Sequence, residues 1–426
     1  MNEQKPFTKK LNKLIVINNT LLVLSETANR DEVQELHKQH TILAVVAPFL
    51  KSADKYSFDN MRTVRYVYAP QLQTVQEEAF QRWTSLSRVV CPKLEQVERK
   101  AFDNCISLAE LDTENVKTLA SLAFIDCYNL REFRSKQIRL IFQETFRDCQ
   151  NLSYMYVPRS EVQLNAFPRD SVQKLVCLRK KKNEWFPDIV PHFQPTCDKA
   201  LFDEIKTNWK DRRFCSNLLS EKNVLCSKLN FSKATLCGVV LLSSTEIANK
   251  TFTNCNHLSF VLVPRCRTIG SEAFKYCHAL QQVDCRSAFA IGEDAFHGCA
   301  RATSYNCRKV RQVESGAFAF NQSLLQIQFD ELTELKKGTF MRCLSLRQVI
   351  APKLQVVSDK AFIDALQKIN LVCNLQIQNE SSKSGELELF QDDLCGEFRE
   401  RCSVVGALRR THALCRRLEK MSEITK

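Results

Sequence analysis

The stretch Thr268–Cys299, TIGSEAFKYCHALQQVDCRSAFAIGEDAFHGC, carries the motif Ala-Phe-x-x-Cys twice, at Ala273–Cys277 and again twenty-two positions on at Ala295–Cys299. Outward from it the same phenylalanine recurs at Phe252, Phe274, Phe296, Phe318, Phe340 and Phe362, always at that interval. Upstream, across a longer gap that is not a multiple of the period, Phe58, Phe80, Phe102, Phe124 and Phe146 keep the same spacing, and Phe167 follows one position short of it. A fixed period of this length marks units that stack on one another. It overrides the two to four globular domains that a length of 426 residues would suggest.

Other positions repeat in step. A small residue precedes each Phe, such as Ala79, Ala101, Ala123, Thr145 or Thr339. Three residues after it stand Cys105, Cys127, Cys149, Cys255, Cys277, Cys299 and Cys343, and six after it a leucine such as Leu108 or Leu130. Apolar residues return at nine (Val67, Val89, Phe133, Val261) and seventeen (Val75, Val97, Ile269, Ile291), with proline at twelve in Pro70, Pro92, Pro158, Pro264 and Pro352. The residues at nine and eleven alternate with polar or variable neighbours, as a short half-buried strand does, and proline ends the strand because it has no N–H for the ladder. One such unit cannot bury its own apolar side, so neighbours at ~4.8 Å must complete the core.

The pattern A-F-x-x-C-x-x-L-x-x-V-x-x-P, with Ile269-Gly270 and Ile291-Gly292 ahead of the next Ala-Phe, resembles the BspA-like leucine-rich repeat family, over roughly residues 36–178 and 230–373. That resemblance implies an α/β repeat solenoid of leucine-rich-repeat type with short parallel strands on one face. It also implies adhesion or protein interaction, the role of family members in bacteria and microbial eukaryotes. Secreted members carry signal peptides and some a membrane anchor. The run LIVINNTLLVL (Leu14–Leu24) is broken by Asn18-Asn19-Thr20 and reads as two strands about a turn, not as a secretory h-region. No apolar run of ~18 residues is present. The expectation is therefore a cytoplasmic scaffold, with a cell-surface adhesin or antigen exported without a recognisable signal as the alternative.

The array divides the chain into a tail and cap (1–35), a first array (36–178), an irregular or helical insertion or linker (179–229), a second array (230–373) and a loop with a basic helical cap (374–426). Leu36, Ile42, Val45 and Leu50 fit a first repeat with Leu in place of Phe. Leu201, Ile205 and Trp209 recur every fourth residue, which reads as a helix in the middle segment, and residues 386–422 read as helices too. Two arrays joined by the middle segment fit the broken register better than one solenoid with an insertion.

Chemistry is sparse. All nine glycines lie at Gly238 or later, so the first half has none for a phosphate-cradling loop, and most turns must be made without glycine. The net charge of +13 is spread out and no nucleic-acid-binding signature accompanies it, so nucleic acid and membrane partners are disfavoured. No C-x-x-C occurs among the 20 cysteines. Their columns read as buried free thiols acting as small hydrophobes, with column disulfides as the alternative in an oxidising setting. A weak constellation of Cys395, Cys402, His412 and Cys415 does not amount to a metal site. His257, His278 and His297 stand at different offsets and read as surface residues. No catalytic residue, cofactor, metal or small-molecule substrate is expected, and the chain reads as a non-enzymatic scaffold for a protein partner.

If positions nine and eleven face inward, eight and ten project from the sheet. Among them Tyr66, Tyr68, Arg88, Arg134, Tyr154, Tyr156, Phe260 and Leu262 are the candidate partner-binding residues, since aromatic and arginine side chains are enriched at interface hot spots.

Overall fold

The computed structural model describes residues 13–17, 19–163, 165–168, 174–177, 224–225, 236–366, 368–377 and 380–389. Most of the middle segment, with the helix expected around Leu201–Trp209, lies outside these, as do residues 390–426 with Cys395, Cys402, His412 and Cys415.

Each repeat contributes a short strand eight to ten residues after its phenylalanine, as at Tyr66–Tyr68, Arg88–Val90, Phe260–Leu262 and Gln282–Asp284. These pair in parallel with the equivalent residues one repeat on: Val67 with Val89, Val261 with Val283, Val349 with Leu371. A second ladder of two-residue strands joins Val75 to Val97 and Ile269 to Ile291. The phenylalanine corner is also bonded between repeats. The N–H of Phe80 donates to Ala101 O (3.0 Å), that of Phe102 to Ala123 O (3.0 Å) and that of Phe274 to Ala295 O (2.7 Å). A small residue before the Phe keeps this approach open.

Inside the corner the rings form two stacks. Consecutive centroids from Phe58 to Phe146 are 5.3–5.6 Å apart, and those from Phe252 to Phe362 5.1–5.7 Å, with interplanar angles of 1–23°. The cysteine column does more than fill space. At Phe102, Phe124 and Phe274 the carbonyl closes its own turn with the N–H three residues on, and its second lone pair takes the thiol of the next repeat: Cys127 Sγ–H to Phe102 O (3.1 Å), Cys149 to Phe124 O (3.0 Å), Cys299 to Phe274 O (3.3 Å). Where the column lacks cysteine, Trp83 Nε1 donates to Phe58 O and Asn321 Nδ2 to Phe296 O (2.9 Å). The column cysteines are free thiols, and burial raises the pKa of Cys105, Cys127, Cys277, Cys299 and Cys343.

The turns are made largely without glycine, as expected, and they use left-handed backbone. Among the described residues, nineteen non-glycine residues with φ between 53° and 64° and three glycines lie two positions before or after a column phenylalanine. Their conformation turns the N–H groups toward the next repeat, as when Arg82 N donates to Asp103 O at 2.7 Å.

At the N-terminal end, β1 (Leu14–Ile17) and β2 (Thr20–Val23) form an antiparallel hairpin, and β2 pairs in parallel with Ala44–Val46. The segment between departs from a repeat. α1 (Arg30–Gln39) is a helix, capped by Asn29 Oδ1 on the N–H groups of Asp31 and Glu32. It replaces the first turn: Leu36 packs on the core where a phenylalanine would stand, and Arg30 and Gln34 bond Asp59 of the next repeat. α1 is the one helix among the described residues.

The two arrays have separate cores, one built from Leu14 to Ala166 and the other from Leu236 to Leu371. They meet along a polar seam formed four and five residues after the phenylalanines. Ser85 Oγ donates to Gln322 O (3.0 Å), Asn129 Nδ2 to His278 O (3.0 Å), Asn151 Nδ2 to Asn256 O (3.0 Å) and, from the other side, Ser345 Oγ to Arg62 O (3.2 Å). Hydroxyl pairs Ser85–Ser345 (2.8 Å) and Ser107–Ser323 (3.1 Å) complete it. Each advance of one repeat in the first array meets a retreat of one in the second, so the arrays lie antiparallel.

If the thiol column contributes hydrogen bonds, Cys127→Val, similar in volume but without a donor, should lower unfolding stability by about 0.5–1.5 kcal/mol in denaturant titration. An unchanged midpoint would show the thiol to be filler.

Candidate protein-binding faces and the seam between the arrays

On the first array's sheet, the residues at eight and ten form a mixed aromatic and charged surface. Arg88 is exposed and pairs with Glu110 on the next strand (3.2 Å). Arg134 is exposed, bonds Glu132 (2.8 Å) and lies over the Tyr154 ring at 4.9 Å from its centroid. Tyr68, Tyr154 and Tyr156 are half-buried. Tyr66, at 6% exposure, is buried.

Phe260 and Leu262 depart from the expected alternation, being only 2% and 1% exposed. The strand beside them explains part of this. Position 238 is glycine, and a Cβ there would come within 2.3 Å of the Phe260 ring, so the ring lies down over the neighbouring backbone instead of standing in solvent.

Further along the second array position eight is polar throughout: Gln282 pairs with Ser304 on one sheet, and Gln326, Gln348 and Asn370 form an amide ladder on the next. Its C-terminal end is already occupied. After Ser382–Ser384 residues 385–389 cross the sheet without regular secondary structure, where the sequence suggested helix from 386 onward. Gln348 Oε1 accepts from Glu388 N (2.8 Å) while its Nε2 donates to Glu388 O (3.2 Å), and Asn370 Nδ2 donates to Glu386 O (2.7 Å). One side-chain amide thus serves a residue's backbone donor and acceptor together, as a neighbouring strand would. Gln348 is fully buried by this strap, whereas Ser304 and Gln326 remain exposed.

The histidines expected at the surface lie in or beside the seam. Burial pushes His278 down to about 4, and burial with nearby Arg131 does the same for His257. His37 of α1 is likewise lowered to about 4 by burial and by Arg347 of the second array. His297 is also lowered by burial, against the pull of Asp294 at 3.3 Å. Their signal in the sequence was weak because the offsets differ. What they share is the corner of the repeat, not one column.

A family profile described as the BspA type leucine rich repeat region matches residues 51–172 and 245–369 in six copies. The chain belongs to the BspA-type leucine-rich repeat family. No curated protein sequence matches it. Among solved structures, a leucine-rich repeat protein from Bacteroides ovatus is 15% identical, with 84% of this chain and 85% of that one covered at a TM-score of 0.30. A leucine rich cell surface protein from Faecalibacterium prausnitzii is 14% identical, covering 89% and 90% at 0.24. The pneumococcal vaccine antigen PcpA is 12% identical, covering 86% and 78% at 0.23. Overlaps this loose carry nothing about function.

The seam adds a pH dependence to these BspA-type arrays. Histidines held near 4 in the closed seam return toward 6.5 when it opens, so the open state binds more protons. Stability should therefore be full above about pH 6.5 and fall progressively toward pH 4. Arg131 adds repulsion to a protonated His257, Arg347 to His37 and Lys275 to His297, where Asp294 and Glu272 oppose it. Calorimetry from about pH 7.5 to 4.5 should show this decline, and His257→Gln should make it shallower. A flat profile, or one unchanged by the substitution, would place these rings outside the linkage.

Proposed function

We propose that the protein is a non-enzymatic interaction scaffold that binds a protein partner in extended form across its sheet faces. The observation that carries this reading is the strap. Gln348 and Asn370 hold the backbone of Glu386 and Glu388 with side-chain amides; Gln326, next on the same ladder, is uncovered, as is the hydroxyl of Ser304 one repeat further on. An exposed run of such groups offers a second extended segment main-chain hydrogen bonds, the affinity term in strand-like peptide recognition. The first array supplies the residue types that give specificity: Tyr68, Tyr154 and Tyr156 beside Arg88 and Arg134. Tyr66, Phe260 and Leu262 are buried and contribute to the shape of the face, not to its accessible surface.

Affinity purification with protein identification, run in parallel on the wild type and two variants, tests this. One variant carries Tyr68→Ser, Arg134→Ala, Tyr154→Ser and Tyr156→Ser; the other carries Ser304→Ala and Gln326→Ala. A partner retained by the wild type and lost from at least one variant at unchanged melting temperature is the expected result. Identical partner sets for all three would refute a sheet-face site.

A further inference from the structure

Midway along the seam the chain breaks its own repeat rule. The residue two after each phenylalanine is left-handed, and in the first array it is polar throughout: Asn60, Arg82, Asn104, Asp126 and Asp148. Short polar side chains tolerate that conformation best, and bulky rings are outliers in it. In the second array Asn254, Arg342 and Asp364 keep to that rule, but the three consecutive repeats between hold Tyr276 (φ 60°), Gly298 (φ 74°) and Phe320 (φ 59°). Two strained aromatic residues thus flank a missing side chain. A Cβ on Gly298 would lie 2.7 Å from the Tyr276 ring, so the notch depends on glycine.

The notch opens into a cavity of about 410 Å³ between the arrays. That volume lies within the range of small-molecule sites, ~300–1,000 Å³. Five rings line one continuous path: Tyr128 of the first array to His278 (5.2 Å between centroids), His278 to Tyr276 (5.9 Å), Tyr276 to His297 (5.3 Å) and His297 to Phe320 (4.9 Å). Polar side chains also line it: Gln150, Asn254, His278 and Gln322. Gln322 as a whole is only 5% exposed. Among the described residues, no Lys, Arg, Asp or Glu lines the cavity. The adjacent cation Lys275 is held by Asp294 at 2.8 Å.

We propose that this cleft binds an uncharged planar heteroaromatic molecule, stacked among Tyr128, Tyr276 and His297, with its polar edge toward the side chains of Gln322 and His278. Aromatic faces supply the stacking, the Gln322 amide offers both a donor and an acceptor, and the absence of a lining charge disfavours phosphorylated or acidic molecules. Because the site draws rings from both arrays, an occupant also ties them together and stabilises the seam.

The test uses the full-length protein with adenine, nicotinamide and adenosine as probes and adenosine monophosphate as the charged control. Binding is read by saturation-transfer NMR and by melting temperature. At least one uncharged probe should bind with a submillimolar Kd and raise the melting temperature. His278→Phe, which keeps the ring, and Gln322→Leu should each weaken it by about tenfold, a loss of ~1.4 kcal/mol. Should one variant fold poorly, the other still decides. Absence of binding by all three uncharged probes at millimolar concentration would mean the cavity holds only water, and would overturn the proposal. So would binding unaffected by either substitution, or binding that requires the phosphate.

Discussion

A phenylalanine ring stacked on the ring one repeat away is the contact on which everything else depends. Centroids 5.1–5.7 Å apart are compatible with the ~4.8 Å between strands, so rings and ladders advance together. With the ring fixed, its backbone N–H reaches the residue before the next phenylalanine and its carbonyl receives the next repeat's thiol. The corner is therefore closed by bonds between units. That is why a single repeat has no core of its own, and why replacement of Cys by Trp83 or Asn321 keeps a donor in place.

The same corner creates the seam. Once the turn is locked, residues four and five after the phenylalanine stand outside it, and short polar side chains there can reach a carbonyl of the other array. The strands eight to ten residues after each phenylalanine carry the sheet faces instead. Structural cores, seam and sheet faces thus use different positions of one repeat. Variation in one need not disturb the others.

How much of this could be read from the sequence follows from what repeats. The phenylalanine column, the strand positions and the Leu14–Leu24 hairpin were legible because periodicity and turn chemistry are local. Leu36 fell in phase with the column, yet the residues around it form a helix; Asn29 as cap with Asp31 and Glu32 in the first turn was the signal available. The seam was not legible from periodicity, since it joins residues as far apart in the chain as Arg62 and Ser345. A hint existed in Ser85, Ser107, Asn129 and Asn151, polar residues on one column, but a column of small polar residues reads equally as solvent-facing. Phe260 shows the limit of alternation: the glycine on the neighbouring strand, not its own position, decides where the ring goes.

Disulfide trapping across the seam tests the antiparallel pairing of the two arrays, the central claim, most directly. Ser85 and Ser345 bring their hydroxyls to 2.8 Å, so Ser85→Cys with Ser345→Cys should form a disulfide on mild oxidation of the native protein, identified by peptide mass spectrometry. Ser85→Cys with Asn256→Cys, which lies at the opposite end of the seam beside Asn151, should not. Failure of the first pair to cross-link in folded protein, or equal cross-linking of both, would contradict the seam.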